Sequence, residues 1–273
     1  MKHLRFLVCL ILCIMCLTGC DRLLPSIFEP ATEPIITEPA TEPSTEPATE
    51  PVTEPTEPAT EPATKPLHSE FYIPDLAVED VIRYFNEVCL DAEFSHAGDA
   101  TLLQKWNTTI YYRLNGEYTD EDYATFISFC DWLNTIDGFP GIYAAEDNSQ
   151  VNMRIYFCTQ EVMLTIMGDT FIDTDGCVTY WYENDEIYDA DICYRTDLDQ
   201  YLRNSVILEE IYNGLGPIQD TQLRPDSIIY AAFSQPQALT EIDELILRLL
   251  YHPDIKCGMT AEECENVIRS LYY

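Results

Sequence analysis

Residues 67–273 read as an α+β domain: a mixed twisted sheet with helices, one central helix and a helical C-terminal part. Three observations carry this reading. Helical and strand-like hydrophobic spacings alternate along the segment. Residues 176–182 and 187–194 have the pattern of two paired strands around Glu183, Asn184, Asp185 and Glu186. A long apolar stripe then runs to Leu215 and stops at Gly216, and two more helical patterns close the chain.

Each element has its own signal. Val78, Ile82, Phe85, Val88 and Cys89 fall at helical spacing within residues 78–94. Residues 109–114 read as a strand preceded by Lys105 and Trp106. Thr119 followed by Asp120, Glu121 and Asp122 is a helix start, and the helix over 123–136 is broken by Gly138, Pro140 and Gly141. Residues 151–158 alternate as a strand. Leu198, Leu202, Val206, Ile211 and Leu215 form the core stripe of the central helix, with Glu209 and Asn213 off that stripe. Terminal helices are expected over 240–251 and 260–272.

The chain ahead of this domain has a different character. Lys2 and Arg5 precede an apolar run of about 12 residues that ends in Thr18, Gly19 and Cys20, the pattern of a secretory signal closing in a lipobox. A single transmembrane anchor is the alternative, but the run is short of the roughly 20 residues that span a bilayer. Cys20 is therefore the expected acylated first residue of a lipoprotein held on the outer face of a bacterial membrane. Residues 21–66 repeat Thr-Glu-Pro from Thr32 to Pro62 and cannot bury a core. Regular proline with charged glutamate favours extended chain, a stalk of roughly 140 Å at about 3.1 Å per residue.

Charge narrows the partners. The chain holds 48 acidic and 14 basic residues, a net charge of −34. Ten of the acidic residues lie in 21–66 and four of the basic ones before residue 67, which leaves 38 against 10, about −28, on the domain. Nucleic acid and anionic headgroups need a positive face and are poor partners. Cationic ligands, or metal ions at carboxylate clusters, are electrostatically favoured.

Seven cysteines fall in the domain. Cys177 with Cys193, across the hairpin, and Cys257 with Cys264, around a helix start, are possible disulfides; the alternative is that all seven are reduced, buried and small. No CxxC occurs there, and His68, His96 and His252 are scattered singly, so a Cys and His zinc site or a Cys and His nucleophile has no support. A Gly-x-Ser-x-Gly elbow is also missing.

The stretch 207–220 carries the most specific motif. Glu209 and Asn213 stand at i and i+4, Gly216 can turn the chain, and Gln219 follows three residues later. This spacing resembles the metzincin signature His-Glu-x-x-His-x-x-Gly-x-x-His, with Glu209, Asn213 and Gln219 at the three zinc-ligand positions and Glu210 at that of the general base. Ser227, Ile228 and Ile229 resemble the Ser-Ile-Met turn of matrixin-like peptidases, with Ile229 for the methionine. Leu239, Thr240, Asp243, Leu250 and Tyr251 look like the helix after that turn. A wider likeness through Tyr84 to Glu87, Lys105 and Trp106, Gly138 to Pro140, and Tyr156 and Phe157 is similar to a bacterial domain family of unknown function, distantly related to the metzincins. The resemblance implies a zincin-like fold with a cleft at the central helix.

The ligands differ from the family's. Glu, Asn and Gln are hard oxygen donors, which suit calcium or magnesium and not zinc. Without a zinc-bound water Glu210 is a vestigial base. Three functions are open: a non-cutting, metallopeptidase-like module that binds a peptide, a polysaccharide or a protein; a hydrolase with a divalent ion at Glu209 and Glu210 with Asp220; and a purely structural surface domain, in which Asp220 caps a turn.

The Cys20→Ala variant is expected to leave the membrane fraction or to stall in processing. Membrane association unchanged, with a mature chain of correct size, would refute acylation at Cys20.

Overall fold

The computed structural model describes residues 69–90, 102–231 and 235–273. The readings of Cys20 and of residues 21–66 lie outside them. Helix α1 (Val78–Cys89) leads to the short strand β1 (Lys105–Trp106) and to β2 (Ile110–Gly116). Then follow α2 (Asp120–Leu133), β3 (Ile142–Ala144), β4 (Met153–Cys158) and α3 (Gln160–Met167). A hairpin of β5 (Gly176–Glu183) and β6 (Glu186–Arg195) precedes α4 (Gln200–Gly214), α5 (Glu241–Tyr251) and α6 (Ala261–Tyr272). The α+β reading thus stands, and no helix among the described residues is long and apolar enough to cross a membrane.

The sheet is mixed. β3, β2, β4 and β6 lie side by side in parallel, β1 pairs with the start of β6, and β5 runs antiparallel to β6. Met153, Ile155 and Phe157 line the buried face of β4 while Arg154 and Tyr156 on its other face are half-buried, and β6, at Ile192, Cys193 and Tyr194, is buried on both faces. Asn184 and Asp185 both take positive φ, 52° and 63°, which builds the two-residue turn whose twist matches the hairpin. Among the described residues β5 pairs in the sheet only with β6, so there it is an edge strand.

The central helix is more enclosed than its apolar stripe implies. From Ser205 to Gly214 every residue of α4 except Glu209 is buried, because β5 and β6 cover one side and α2 another. Asn213, expected off the core stripe, is therefore inside, and so is Glu210, while Glu209 keeps partial exposure. Its start is tied to α2: Asp122, buried at the head of α2, completes a capping box with Thr119, accepts from Gln200 Nε2 at 2.7 Å and pairs with Arg203. Its end is capped by side chains, since Trp106 Nε1 donates to the Gly214 carbonyl (2.9 Å) and the Tyr251 hydroxyl to that of Leu215 (2.8 Å). Lys105 does the same for α5, donating from a buried Nζ to the Leu250 (2.7 Å) and Ile255 (2.6 Å) carbonyls.

Local departures are few and physical. The first helix ends at Cys89, short of the expected 94, and residues 91–94 lie outside the described residues. Helix α3 and strand β3, eight and three residues long, are too short to show a period in the sequence. Neither proposed disulfide is formed: all seven domain cysteines are free. Cys177 and Cys193 are register partners, and the Arg195 amide donates to the Asp175 carbonyl two residues away (3.2 Å), which puts them in a hydrogen-bonded pair. The thiols of Cys158, Cys177 and Cys193 sit together as a buried group in contact with one another. Cys257 instead rests its Sγ 3.6 Å from the Lys105 carbonyl, while Cys264 is buried in the main core.

Asp243 joins three segments. Its Oδ1 accepts from Ser227 Oγ (2.7 Å) and the Tyr84 hydroxyl (3.4 Å), and its Oδ2 from the amides of Ile228 (3.3 Å) and Thr240 (3.0 Å) and from Thr240 Oγ1 (2.8 Å). Asp243→Ala would strand these buried donors, so a stability loss of about 3–5 kcal/mol is expected, with a fall in Tm of at least about 6 °C followed by circular dichroism. Tyr84→Phe, which also loses its 2.8 Å bond to Ser227, should cost about 1 kcal/mol.

Candidate functional site

The second half of α4 and the start of β5 build one acidic site. Asp199 caps the helix by accepting from the Leu202 amide at 3.1 Å, and α4 then carries Glu209 and Glu210 in successive positions and Asn213 one turn on. Glu210 lies against the backbone of Gly176: a Cβ there would meet Glu210 Cγ at 2.8 Å and Oε1 at 2.9 Å. The glycine is what lets a carboxyl group sit on the edge strand. Past the helix Gly216 takes φ 133°, where a Cβ would fall 2.8 Å from the Gln104 carbonyl, so this turn also needs glycine.

Among the residues read from the motif, the structure groups some and parts others. Glu209, Glu210 and Asp220 interact electrostatically, and Asp175, just ahead of Gly176, joins them. Gln219 does not: its amide is held by the Val88 carbonyl at 3.3 Å, and among the described residues its side chain bonds to neither Glu209 nor Asn213. Asp175 was not legible as a site residue, since it is distant in sequence and only the β5 register brings it to α4. Beyond Gln219 the chain turns back. Thr221 Oγ1 donates to Glu87 (2.7 Å), and Thr221 receives an amide bond from Ala231 and gives one to Ile229, whose side chain is fully buried.

Asp175 pairs with Arg195 at 3.4 Å, and the two glutamates lack such a donor among the described residues. No hydrogen bond reaches the Glu209 or Glu210 carboxyl among the described residues, and Asn213, only 7% exposed, leaves its Oδ1 without a partner. Burial, then Glu209, Asp220 and Asp175, pushes the Glu210 carboxyl well above the usual carboxylate range. Glu209 keeps part of its surface open, yet enclosure of its carboxyl, followed by Asp220 and Asp175, pushes it up to about 8.

Oxygen donors alone stand here. His252 packs edge-on against Phe71 at the end of α5, and His68 and His96 lie outside the described residues. Among the described residues no group of three or more His, Cys, Asp or Glu is arranged to hold a metal ion. Glu209, Glu210, Asn213 and Asp220 are the side chains with which a hard cation would have to be bound, whereas a borderline-soft zinc ion finds no imidazole or thiolate.

The family model described as "Protein of unknown function (DUF2927)" matches residues 78–270, from the start of α1 almost to the end of α6. No curated protein matches the chain.

The carboxyl pair sets a pH dependence. A carboxyl whose proton affinity is raised by folding binds more protons folded than unfolded, so stability falls as pH rises from about 4.5 to about 8. Glu209→Gln removes this penalty. Allowing for the part-exposed side chain, the variant should exceed the parent by about 1–3 kcal/mol at pH 8 and equal it below pH 4, as measured by urea unfolding across pH.

Proposed function

We propose that this chain, which belongs to the DUF2927 family, is a surface-displayed lipoprotein whose domain binds an extended ligand without cutting it. The reading treats the domain as a metzincin-like fold that keeps the cleft and has lost the zinc chemistry. The observation that carries it is the junction of α4 with β5: a strand edge that is unpaired among the described residues, and so open to pairing with an extended chain, begins where Glu210 packs on Gly176.

Three features support the relationship to the metzincins. The central helix ends at a glycine turn, Gly216, at the family's spacing after Glu209 and Asn213. The segment with Ser227 and Ile229 folds back and is fixed by Asp243 of the next helix. The hairpin, the central helix and the two terminal helices follow in the order that the motif implies. Cutting is not part of the reading, because hydrolysis needs an activated water and an ionised base. The donors present are hard oxygens, and burial raises the proton affinity of Glu210. The exposed aromatic residues of the hairpin, Trp181, Tyr182 and Tyr188, give a ligand on β5 apolar surface to cover. A second reading, a calcium- or magnesium-type ion at Glu209, Glu210 and Asp220, is favoured by the unpartnered Oδ1 of Asn213.

Selection from a random peptide library with the full-length protein tests the proposal. Enriched peptides should be recovered at full length, and Val178→Pro should abolish their binding. Val178 alternates with the hydrogen-bonded pairs Cys177–Cys193 and Thr179–Asp191, so its amide points to the open edge. Cleaved peptides that depend on added divalent metal would overturn the non-cutting reading, and no enrichment would leave a structural domain.

A further inference from the structure

We propose that Cys177 and Cys193 are a redox-active pair that closes reversibly to a disulfide across the β5–β6 hairpin, beneath α3, while Cys158 stays a thiol beside them. The inference is independent of the binding reading above and concerns the face of the sheet turned away from α4.

Register places the sulfurs. Cys177 and Cys193 are partners in the antiparallel ladder, and Tyr156 of β4 is the partner of Cys193 on its other side. Side chains alternate along a strand, so Cys158, two residues past Tyr156, shares a face with both cysteines. Gly176, Val178 and Ile192 face α4, where they lie against Val206 and Gly214, so the three cysteines point the other way. There α3 covers them. With Met163 they form a small second core apart from the main one, in which Cys193 touches both of the other thiols. Cys158, Cys177 and Cys193 are 8%, 4% and 0% exposed, so nothing reaches them while α3 is in place.

Backbone distance selects the pair. Opposite residues in a hydrogen-bonded antiparallel pair have Cα atoms about 5.5 Å apart, inside the range of about 4.4–6.8 Å that disulfides span. A strand spacing of about 4.8 Å combined with two residues of about 3.3 Å puts Cys158 and Cys193 at roughly 8 Å, past the limit of about 7 Å. Cys193 therefore bonds to Cys177. The oxidant is a low-molecular-weight disulfide. The thiolate of one cysteine attacks it, breaking its S–S bond and expelling a thiolate, which takes up the proton that the cysteine gave. The second cysteine attacks the mixed disulfide, the protein S–S bond forms and a second thiol leaves, so two cysteines are oxidised and one disulfide is reduced to two thiols. Helix α3 gates this step. Met163 is the only buried residue of its eight, and Thr159 at its N-cap makes no side-chain cap bond, so α3 lifts without disturbing the main core. While it is down, the Cys193 contact and then burial push the Cys158 thiol up. For Cys193 the Cys158 contact acts downward, but the Cys177 contact and burial outweigh it. The thiolate is the nucleophile, so the covered cluster is inert and the reaction runs through the open form.

The test equilibrates the reduced full-length protein with mixtures of oxidised and reduced glutathione, alkylates it in denaturant and maps the thiols by mass spectrometry. Cleavage after Glu161, Glu183 and Glu186 puts Cys158, Cys177 and Cys193 on separate peptides. The Cys177 and Cys193 peptides should become linked with one midpoint, in protein of unchanged circular dichroism, and dithiothreitol should restore both thiols. Cys158 should be alkylated throughout. Cys177→Ser should lower the oxidation of Cys193 at that midpoint at least tenfold. Met163→Ala, which loosens α3, should speed the linkage at least tenfold, whereas Met163→Leu, of similar volume, should keep the parental rate within about twofold. No linked peptide at any glutathione ratio, a Cys158–Cys193 link, or separate glutathione adducts on Cys177 and Cys193 would each overturn the pair. An unchanged rate in a folded Met163→Ala variant would overturn α3 as the gate. The mapping uses the parent protein, so it decides the pair whether or not the variants fold.

Discussion

The carboxylate of Asp243 is the constraint on which the arrangement around the central helix depends. A fully buried charge is tolerated only when its oxygens are saturated with donors, and here they come from α1, from the segment at Ser227 and from the cap of α5. The Tyr84 hydroxyl donates a hydrogen bond to Ser227 Oγ, which donates one to Asp243, so a tyrosine on the first helix is linked to the last third of the chain. Tyr212 of α4 adds a 3.1 Å bond to the Asp243 carbonyl. The central helix is thereby referred to the same point as the segment that follows it.

Helix ends are treated with similar economy. Lys105 and Trp106 form only two residues of strand, yet they cap the carbonyl ends of α5 and α4. Burial lowers the affinity of Lys105 for its proton, to about 8, but two carbonyls at 2.6 and 2.7 Å and the face of Tyr251 oppose that loss. At the opposite end of α4, Asp122 and Arg203 fix the helix start against α2. With both ends held, the line of side chains along α4 is fixed relative to β5, and the position of Glu210 over Gly176 follows.

That rigidity gives the acidic site its character. Elsewhere in the domain carboxylates meet partners: Asp243 its donors, Asp122 its arginine, Glu87 the Thr221 hydroxyl and the Gln222 amide. At Glu209 and Glu210 the surroundings supply burial and more negative charge, and the proton affinity of both rises. Such a pair costs the folded state stability wherever it ionises.

The sequence by itself determined the signals that act over short range. Thr119, Thr240 and Thr260 announce helix starts because a capping box closes within four residues, and all three boxes are present. Asn184 and Asp185 announce the hairpin because few other residues take positive φ twice in succession. Gly216 announces the end of α4 for the same reason. Tertiary structure decided what depends on residues far apart in the chain. Nothing local reveals that Asp175 joins Glu209 and Glu210, that Lys105 spans 145 residues to cap Leu250, or that Asn213 is enclosed and Gln219 directed elsewhere. Periodicity reports which side of a helix is apolar, whereas the burial of Glu210 and Asn213 follows from β5, β6 and α2 closing around α4, which only the folded chain brings together.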